Sequence, residues 1–303
     1  VARLLSRGYS VRIVVDNPED LDRLEEMEMS NSNVTVTAVM ARVTEEESLE
    51  EAFKDCRGVF HTSSFVDPTG LSGYTKYMVD VEARAAENVV RVCARTPTVK
   101  KCVMTSSLLA CVWREDRTQG QGQGHEGCPV INHDCWSDES LCTDKKLWYA
   151  LGKYRAEKAA WRVAEEKGLN MATICPALIT GPEFCSRNST ATLAYLKGAE
   201  EMYEVGVLAT VDVNKLAEAH VCVFEAMSRT SGGRYVCFDN VIHEEEDAEK
   251  LARATGMSKA KICGTGSLGD TRTRFQLSDR KLSSLMSTVI RPCYNQSREY
   301  STY

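Results

Sequence analysis

The hydrophobic and polar positions of the 303-residue chain follow two periods, one typical of strands and one typical of helices. Short apolar runs predict strands at 9–15, 34–37, 58–62, 100–107 and 169–175. Apolar residues spaced three to four apart predict helices at 1–8, 20–29, 45–54, 74–95 and 145–168. Strands that alternate with helices favour an α/β fold, in which a parallel sheet is covered by helices on both faces.

Beyond these segments the pattern is less regular. Residues 113–143 predict a long connection that contains Thr118-Gln-Gly-Gln-Gly-Gln-Gly124, a low-complexity run typical of a flexible surface loop. After Gly181-Pro182 the predicted elements are shorter, although the apolar run 233–238 predicts a further strand that returns to the first sheet. We therefore predict a division of the chain near residue 180.

Composition restricts the possible functions. Apolar residues make up 43% of the chain and charged residues 26%, which is ordinary for a globular protein. The 37 Lys and Arg against 43 Asp and Glu give a net charge of −6, so the sequence does not indicate a nucleic-acid partner. The longest apolar run, 171–180, is too short to span a bilayer. We predict a cytoplasmic protein that has neither nucleic acid nor membrane as its partner.

The 13 cysteines suggest free thiols rather than a disulfide framework. Their number is odd, no C-x-x-C motif occurs, and they are scattered through apolar stretches, as small buried side chains in a reducing compartment are. Cys128, His133, Cys135 and Cys142 carry metal-binding atoms, but their spacing is not that of the common zinc sites. We predict no metal.

A serine, a tyrosine and a lysine form the candidate catalytic set. Ser107 ends the predicted strand 100–107, and Tyr149 and Lys153 lie four residues apart on one face of a predicted helix. Carbonyl reduction needs a hydride from a nicotinamide and a proton, and Tyr149 could give the proton. The charge of Lys153, together with the positive charge of the cofactor, would lower a phenol pKa that is ordinarily about 10. Ser107 would polarise the carbonyl oxygen. This set matches that of the short-chain dehydrogenase/reductase superfamily.

Six segments carry a closer resemblance, namely 58–64, 103–107, 134–138, 148–153, 156–161 and 175–182. On these segments the chain resembles the plant cinnamoyl-CoA reductase and dihydroflavonol reductase family of extended short-chain dehydrogenases, and within it the cinnamoyl-CoA reductase-like, SNL-six-type subgroup. The resemblance implies a Rossmann-type doubly wound parallel sheet in an NAD(P)-binding domain at 1–180. It implies a smaller, mainly substrate-binding lobe at 181–303, with some elements that return to the sheet.

The resemblance also implies site residues and a cofactor, NADP(H). Catalytic roles fall on Ser107, Tyr149 and Lys153, of which the last two would also contact the cofactor. Further cofactor contacts fall on Thr62, Ser63, Ser64, Pro176, Ala177, Leu178 and Ile179, with a later phosphate-side contact at Thr190. We interpret His61 as a core histidine, and Asn88 as a packing residue or, alternatively, a fourth, water-holding member of the site.

The chain departs from the family at the cofactor side. No glycine-rich turn between a first strand and a first helix is found, so we expect on the order of 20 residues to be missing because the sequence is an incomplete gene model or a fragment. The alternative is a poor cofactor binder that folds poorly. Asp16 replaces an arginine that would bind the 2′-phosphate, which makes NAD(H) possible, although Arg23 could compensate. Asp16 could also simply be a turn residue.

Two further departures concern adenine and substrate. Arg42 and Val43 stand where relatives place an Asp-Leu pair that contacts adenine. In the segment 147–153, Leu147, Ala150 and Leu151 replace a polar group and an aromatic-rich edge that we expect in the pocket wall. These changes put a hydroxycinnamoyl-CoA substrate in doubt.

Three hypotheses follow. The first is an NAD(P)H-dependent reductase of phenylpropanoid-type carbonyl compounds, a monomer or homodimer whose partner is a small-molecule carbonyl substrate. The second is a catalytically silent relative that acts as a binding or regulatory scaffold. The third keeps the fold and changes the reaction to sugar-nucleotide epimerisation, which the phenylpropanoid-family motifs disfavour.

Overall fold

The structure, a computed structural model, describes residues 1–18, 20, 35–65, 74–114, 129–182, 184–264 and 275–289. Its strands are β1 Val11–Val15, β2 Val36–Met40, β3 Gly58–His61, β4 Lys101–Thr105, β5 Val130–Ile131, β6 Asn170–Pro176, β7 Leu178–Thr180, β8 Ala209–Asp212, β9 Arg234–Cys237, β10 Asn240–Val241 and β11 Gln276–Leu277. Its helices are α1 Ala2–Ser6, α2 Glu46–Phe53, α3 Lys76–Arg95, α4 Leu109–Val112, α5 Glu139–Asp144, α6 Trp148–Lys167, α7 Phe184–Arg187, α8 Ser189–Tyr195, α9 Ala199–Glu204, α10 Val213–Ala226, α11 Glu245–Thr255, α12 Ala260–Cys263 and α13 Arg280–Val289.

The central sheet has the strand order β3-β4-β6-β9, and all four strands are parallel. Its inner strands read as continuous apolar runs because helices cover both faces; in β4, Cys102, Val103 and Met104 are all buried. The predicted strands at 58–62, 100–107 and 169–175 are confirmed, and so is the return of 233–238, which pairs as β9 with β6. The α/β fold of the doubly wound, Rossmann type is confirmed.

A second, two-stranded parallel sheet is formed by β1 and β2, in which Val11 lies opposite Val36. Among the described strands, β1 pairs only with β2 and β3 pairs only with β4, so no described strand lies between β1 and β3. The strand predicted at 34–37 begins and ends later, at Val36–Met40. Its five residues pair one by one with the five residues of β1. The helix predicted at 20–29 lies outside the described residues, except for Asp20.

Helices cover the central sheet from both sides. On one face α3 and α6 pack against each other, and α2 packs beside α3. On the other face α10 packs against β4 and β6, with α1 and α13 beside it. The helix predicted at 145–168 is confirmed as α6, and it ends at Gly168 in the left-handed conformation (φ 66°) that glycine adopts at helix C-termini. No helix in the described ranges has the length and apolar character needed to cross a membrane.

The second half of the chain adds a smaller sheet and short helices. Strand β8 pairs in parallel with β7 and antiparallel with β10, and α9 packs on α12. The predicted connection 113–143 contains β5 and α5 in its described part. Helix α5 begins there because the Asp138 side chain accepts a hydrogen bond from the backbone N–H of Ser140 (2.9 Å), and its Cys142 is buried. The division near residue 180 stays a prediction.

Candidate active site

The carboxyl ends of β3, β4 and β6 lie along one edge of the parallel sheet, where ligands of doubly wound folds bind. Thr62, Ser63 and Ser64 follow β3 and are exposed, whereas Ser107 follows β4 and is buried. The Ser107 hydroxyl accepts a hydrogen bond from the backbone N–H of Leu109 at 3.2 Å, which fixes it at the start of α4. The strand ends therefore bring together residues that are far apart in the sequence.

Tyr149 and Lys153 lie in the first turns of α6. The Lys153 ammonium is 5.6 Å from the centroid of the Tyr149 ring, and Lys153 is only 4% exposed. Burial raises the pKa of the Tyr149 phenol and Glu82 raises it further, while Lys153 and a hydrogen bond with Ser64 lower it; the net direction is upward. The Lys153 charge acts in the predicted direction, but without the cofactor's positive charge burial outweighs it, so a net lowering by lysine and cofactor together stays a prediction.

The lysine has a partner that the sequence analysis missed. Glu82, from α3, accepts a hydrogen bond from the Lys153 ammonium at 2.8 Å, and both side chains are 5% exposed. Burial lowers the pKa of Lys153, but the charge of Glu82 together with Tyr149 outweighs it and the pKa is raised. A signal for Glu82 was present, since it interrupts the apolar face that Val79, Ala86 and Val89 form on the predicted helix 74–95.

The Glu82 carboxylate also contacts the segment after β3. Its Oε2 atom accepts hydrogen bonds from the backbone N–H of Phe65 at 2.9 Å and from the Ser64 hydroxyl at 3.3 Å. The Tyr74 hydroxyl lies 3.4 Å from the same oxygen. One carboxylate thus joins the candidate catalytic lysine to the predicted cofactor-contact segment.

A cavity of about 500 Å³ borders the Tyr149 side chain. Its walls are mainly apolar and aromatic and include Tyr74, Trp148, Leu193 and Met257, with the charged side chains of Lys197, Glu200 and Lys261. Thr190, the predicted phosphate-side contact, also lines this cavity. The rings of Tyr74 and Tyr149 meet edge to face, with centroids 5.2 Å apart. A cavity of this size, with mainly apolar walls and a few charged groups, has the dimensions of a small-molecule site.

The altered substrate segment does not form the wall of this cavity. Leu147, Ala150 and Leu151 are at most 5% exposed and belong to the hydrophobic core, whereas Trp148 and Tyr149 line the cavity. The prediction that these three residues form the pocket wall is therefore wrong. The physical reason is helical geometry, since Leu147 and Leu151, which are four residues apart, share the side turned towards the core.

A second buried ion pair supports the strand ends beneath the site. Glu157, on α6, is fully buried and binds the Arg234 guanidinium at 2.8 Å, while the hydroxyls of Ser106 and Thr173 donate to it at 2.7 and 2.6 Å. Burial raises the pKa of the Glu157 carboxyl, but Arg234 and the hydrogen bonds lower it more, so the net pKa is lowered. Through these bonds Glu157 joins α6 to Ser106 directly after β4, to Thr173 in β6 and to Arg234 in β9.

The residues predicted on the adenine side follow the strands β1 and β2. Asp16 comes directly after β1, is exposed, and accepts a hydrogen bond from the Asn17 amide at 3.2 Å. Arg42 pairs with Glu45 at 3.1 Å. The Asn88 amide donates to the carbonyl oxygen of Val43 at 3.3 Å, which fits the packing role predicted for it. Arg23 lies outside the described residues.

His61 and the cysteines complete the candidate groups. His61 is buried at the end of β3, lies 3.2 Å from the Ser63 hydroxyl, and has its pKa lowered to about 4 by burial and by the charge of Lys153, so it is neutral at neutral pH. The described cysteines are free and most are buried. Within the described ranges no group of three His, Cys, Asp or Glu side chains could hold a metal ion. Cys128 of the candidate cluster lies outside these ranges.

The arrangement suits the nicotinamide half of a dinucleotide. The Lys153 ammonium has three N–H donors, and among the described residues it donates a hydrogen bond to Glu82. The two other N–H donors of Lys153 can bind ribose hydroxyls. The exposed hydroxyls of Thr62, Ser63 and Ser64 lie at the neighbouring strand end. In the segment predicted from Pro176 to Ile179, the Pro176 carbonyl accepts a hydrogen bond from the Leu108 N–H, and the Ala177 N–H donates to the Cys237 carbonyl. The Ala177 N–H is therefore already used within the protein.

Two solved structures share the fold of this chain. Vestitone reductase from alfalfa superposes with a TM-score of 0.62 at 22% identity, covering 93% of this chain and 86% of that chain. Yeast methylglyoxal/isovaleraldehyde reductase Gre2, solved with NADPH, gives a TM-score of 0.67 at 17% identity, covering 94% of this chain and 88% of that chain. The fold is that of the Rossmann-type reductases.

Sequence comparison then gives the family. Residues 1–263 match the 3-beta hydroxysteroid dehydrogenase/isomerase family, and the chain belongs to it. Cinnamoyl-CoA reductase 1 of Petunia hybrida is 34% identical over 255 residues, which cover 82% of this chain and 71% of that protein. Tetraketide alpha-pyrone reductase 1 of Arabidopsis thaliana is 33% identical over 253 residues, covering 81% and 74%. The resemblance to cinnamoyl-CoA reductases is confirmed, and so is the class, an oxidoreductase of a family that uses NAD(P)H.

Proposed function

We propose that the chain is an NAD(P)H-dependent reductase of phenylpropanoid-type carbonyl compounds. The observation that carries the proposal is the position of Tyr149, which borders an aromatic-walled cavity of about 500 Å³ while Lys153 lies buried one helical turn away. The names of its relatives, cinnamoyl-CoA reductases among them, support a substrate of this class. The aromatic side chains of Tyr74 and Trp148 provide surfaces for a phenyl ring.

Each residue of the proposed set has a separate task. A bound nicotinamide supplies the hydride. The Tyr149 hydroxyl donates the proton to the developing alkoxide, and its raised pKa keeps it protonated at neutral pH. Lys153 offers its free N–H donors to the ribose, and Ser107 holds the carbonyl oxygen. Because Leu109 N–H already bonds the Ser107 oxygen, the serine hydroxyl keeps its own hydrogen to donate.

For the cofactor we propose NADP(H), with NAD(H) as the alternative that Asp16 favours. Asp16 is exposed at the end of β1, where an acidic side chain repels a 2′-phosphate and accepts a hydrogen bond from a 2′-hydroxyl. The two cofactors can be compared by calorimetric titration of the purified chain. Tighter binding of NADPH supports the proposal, and tighter binding of NADH assigns Asp16 the discriminating role.

The decisive test of the reaction is Tyr149→Phe. Turnover of NADPH with cinnamaldehyde-type aldehydes and hydroxycinnamoyl thioesters should fall by about 10²- to 10⁴-fold, the usual contribution of a positioned proton donor. Cofactor affinity should stay nearly unchanged. Tyr154→Phe is the matched control, since Tyr154 lies on the same helix but packs edge to face on Trp136, and its turnover should equal that of the parent. Full turnover by Tyr149→Phe would refute the role of the tyrosine.

The scaffold alternative has one supporting observation, since Lys153 is already held in a buried ion pair with Glu82. A scaffold would bind cofactor or ligand without turnover in the same assays. Turnover that depends on Tyr149 excludes that alternative.

A further inference from the structure

Glu82, on α3, is a buried carboxylate that pairs with Lys153 and acts electrostatically on the proposed proton donor, Tyr149. It binds the Lys153 ammonium at 2.8 Å, the Phe65 N–H at 2.9 Å and the Ser64 hydroxyl at 3.3 Å. With both side chains 5% exposed, water screens the pair only weakly. The carboxylate therefore cancels part of the positive charge that Lys153 would otherwise present to the phenol.

That cancellation matters because a lysine and a carboxylate act on a phenol in opposite directions. An ammonium nearby favours phenolate, while a carboxylate nearby favours the protonated phenol. Reduction consumes a phenol proton: the carbonyl carbon takes the hydride of NAD(P)H, its oxygen takes the proton, and solvent reprotonates the phenolate that remains. Oxidation of the alcohol runs in reverse, so it needs phenolate as the base and NAD(P)⁺ as the hydride acceptor.

We propose that Glu82 is a positioning residue that holds Lys153 in a neutral ion pair and so keeps Tyr149 in the protonated form that carbonyl reduction requires. This inference rests on the proposed function, because it concerns the same tyrosine. Through its bonds to Ser64 and Phe65, Glu82 also fixes the end of β3 relative to the lysine.

The other titratable groups near Tyr149 do not replace Glu82 in this role. Tyr74 and Tyr195 interact electrostatically with Tyr149, and both have their own pKa raised by burial, so they stay neutral at neutral pH. His61, which faces the Lys153–Glu82 pair, is neutral because its pKa is lowered to about 4. Lys153 and Glu82 are thus the charged groups that act on the phenol within the described residues.

The test is Glu82→Gln, which keeps the shape and removes the charge. The pH profile of alcohol oxidation should move to lower pH, with about a tenfold gain in neutral-pH oxidation for each pH unit of movement. The alkaline limit of carbonyl reduction should move in the same direction. A merely structural role would lower both rates without moving either profile, and that result would overturn the proposal.

Two further variants make the test specific. Glu82→Asp keeps the charge but withdraws it from Lys153 by one methylene, so it should give a smaller movement in the same direction, and it serves alone if Glu82→Gln does not fold. Glu87→Gln is the matched control, because Glu87 lies on the same helix and pairs with Arg91 and Arg162 away from the site. Its profiles should equal those of the parent, and a movement as large as that of Glu82→Gln would overturn the proposal.

A readout without turnover separates this inference from the proposed function. Ultraviolet difference titration of tyrosinate, comparing each protein with its Tyr149→Phe counterpart, isolates the Tyr149 phenol. Removing the Glu82 charge should shift this titration to lower pH even in a protein that turns over no carbonyl compound. An unmoved titration refutes the role of Glu82, whereas absent turnover with a moved titration refutes only the proposed function.

Discussion

Replacing Glu157 by glutamine should destabilise the protein strongly. Glu157 is fully buried and receives hydrogen bonds from Ser106 and Thr173 as well as from the Arg234 guanidinium, which is itself 8% exposed. Arginine cannot lose its proton in proteins, so Glu157→Gln leaves a buried cation without its counter-ion. Breaking a buried ion pair in this way costs about 3–5 kcal/mol. That is a large part of the roughly 5–15 kcal/mol by which folded proteins are stable.

Urea unfolding followed by circular dichroism measures this cost. The midpoint should fall while the slope of the transition stays the same, since the surface exposed on unfolding is unchanged. Glu165→Gln is the matched control, because Glu165 is exposed on the same helix, and its effect should stay within about 0.5 kcal/mol. A cost below about 1 kcal/mol for Glu157→Gln would refute the reasoning.

The same pair predicts how stability depends on pH. The pKa of Glu157 is lowered in the folded protein, so the folded state holds fewer protons than the unfolded state in the acidic range. The ion pair's contribution to stability is therefore complete above the ordinary carboxyl pKa and is lost as the pH falls through the pKa of Glu157 in the folded protein.

Glu157→Leu combined with Arg234→Met should recover much of the stability that Glu157→Gln loses, because well-packed apolar residues can replace a buried pair. A double variant as unstable as Glu157→Gln would contradict this account.

Two smaller predictions follow from the site. Gly152→Ala should lower the free energy of unfolding by about 1–3 kcal/mol, measured by thermal unfolding, because a Cβ at this position would overlap the Tyr74 hydroxyl. Adding Tyr74→Phe should recover part of the lost stability, and an unchanged stability of Gly152→Ala would contradict the close approach of Tyr74. His61→Asn should reduce the loss of stability that occurs as the pH falls from the ordinary histidine pKa of 6.5 to the lowered pKa of about 4, because over this range the folded protein keeps the imidazole neutral while the unfolded chain protonates it. An equally steep loss of stability in unfolding experiments would contradict the burial of His61.

Much of the fold and part of the site were determined by the sequence itself. The strands β3, β4 and β6 and the helix α6 follow from apolar runs and helical spacing, which are local properties of the chain. The parallel sheet follows from the alternation of strands and helices, and the position of Ser107 at the carboxyl edge of the sheet follows from the parallel direction of the strands. A spacing of four residues was enough to put Tyr149 and Lys153 on the same helix face.

Only the tertiary structure decided which charges meet in the core. Glu82 binds Lys153 across a sequence separation of 71 residues, and Arg234 binds Glu157 across 77. The net direction of the Tyr149 pKa depends on burial and on Glu82 as well as on Lys153, and the spacing to Lys153 gives only one of these three effects. Local periodicity describes contacts over about four residues, whereas these ion pairs depend on how α3, α6 and β9 pack around a shared core.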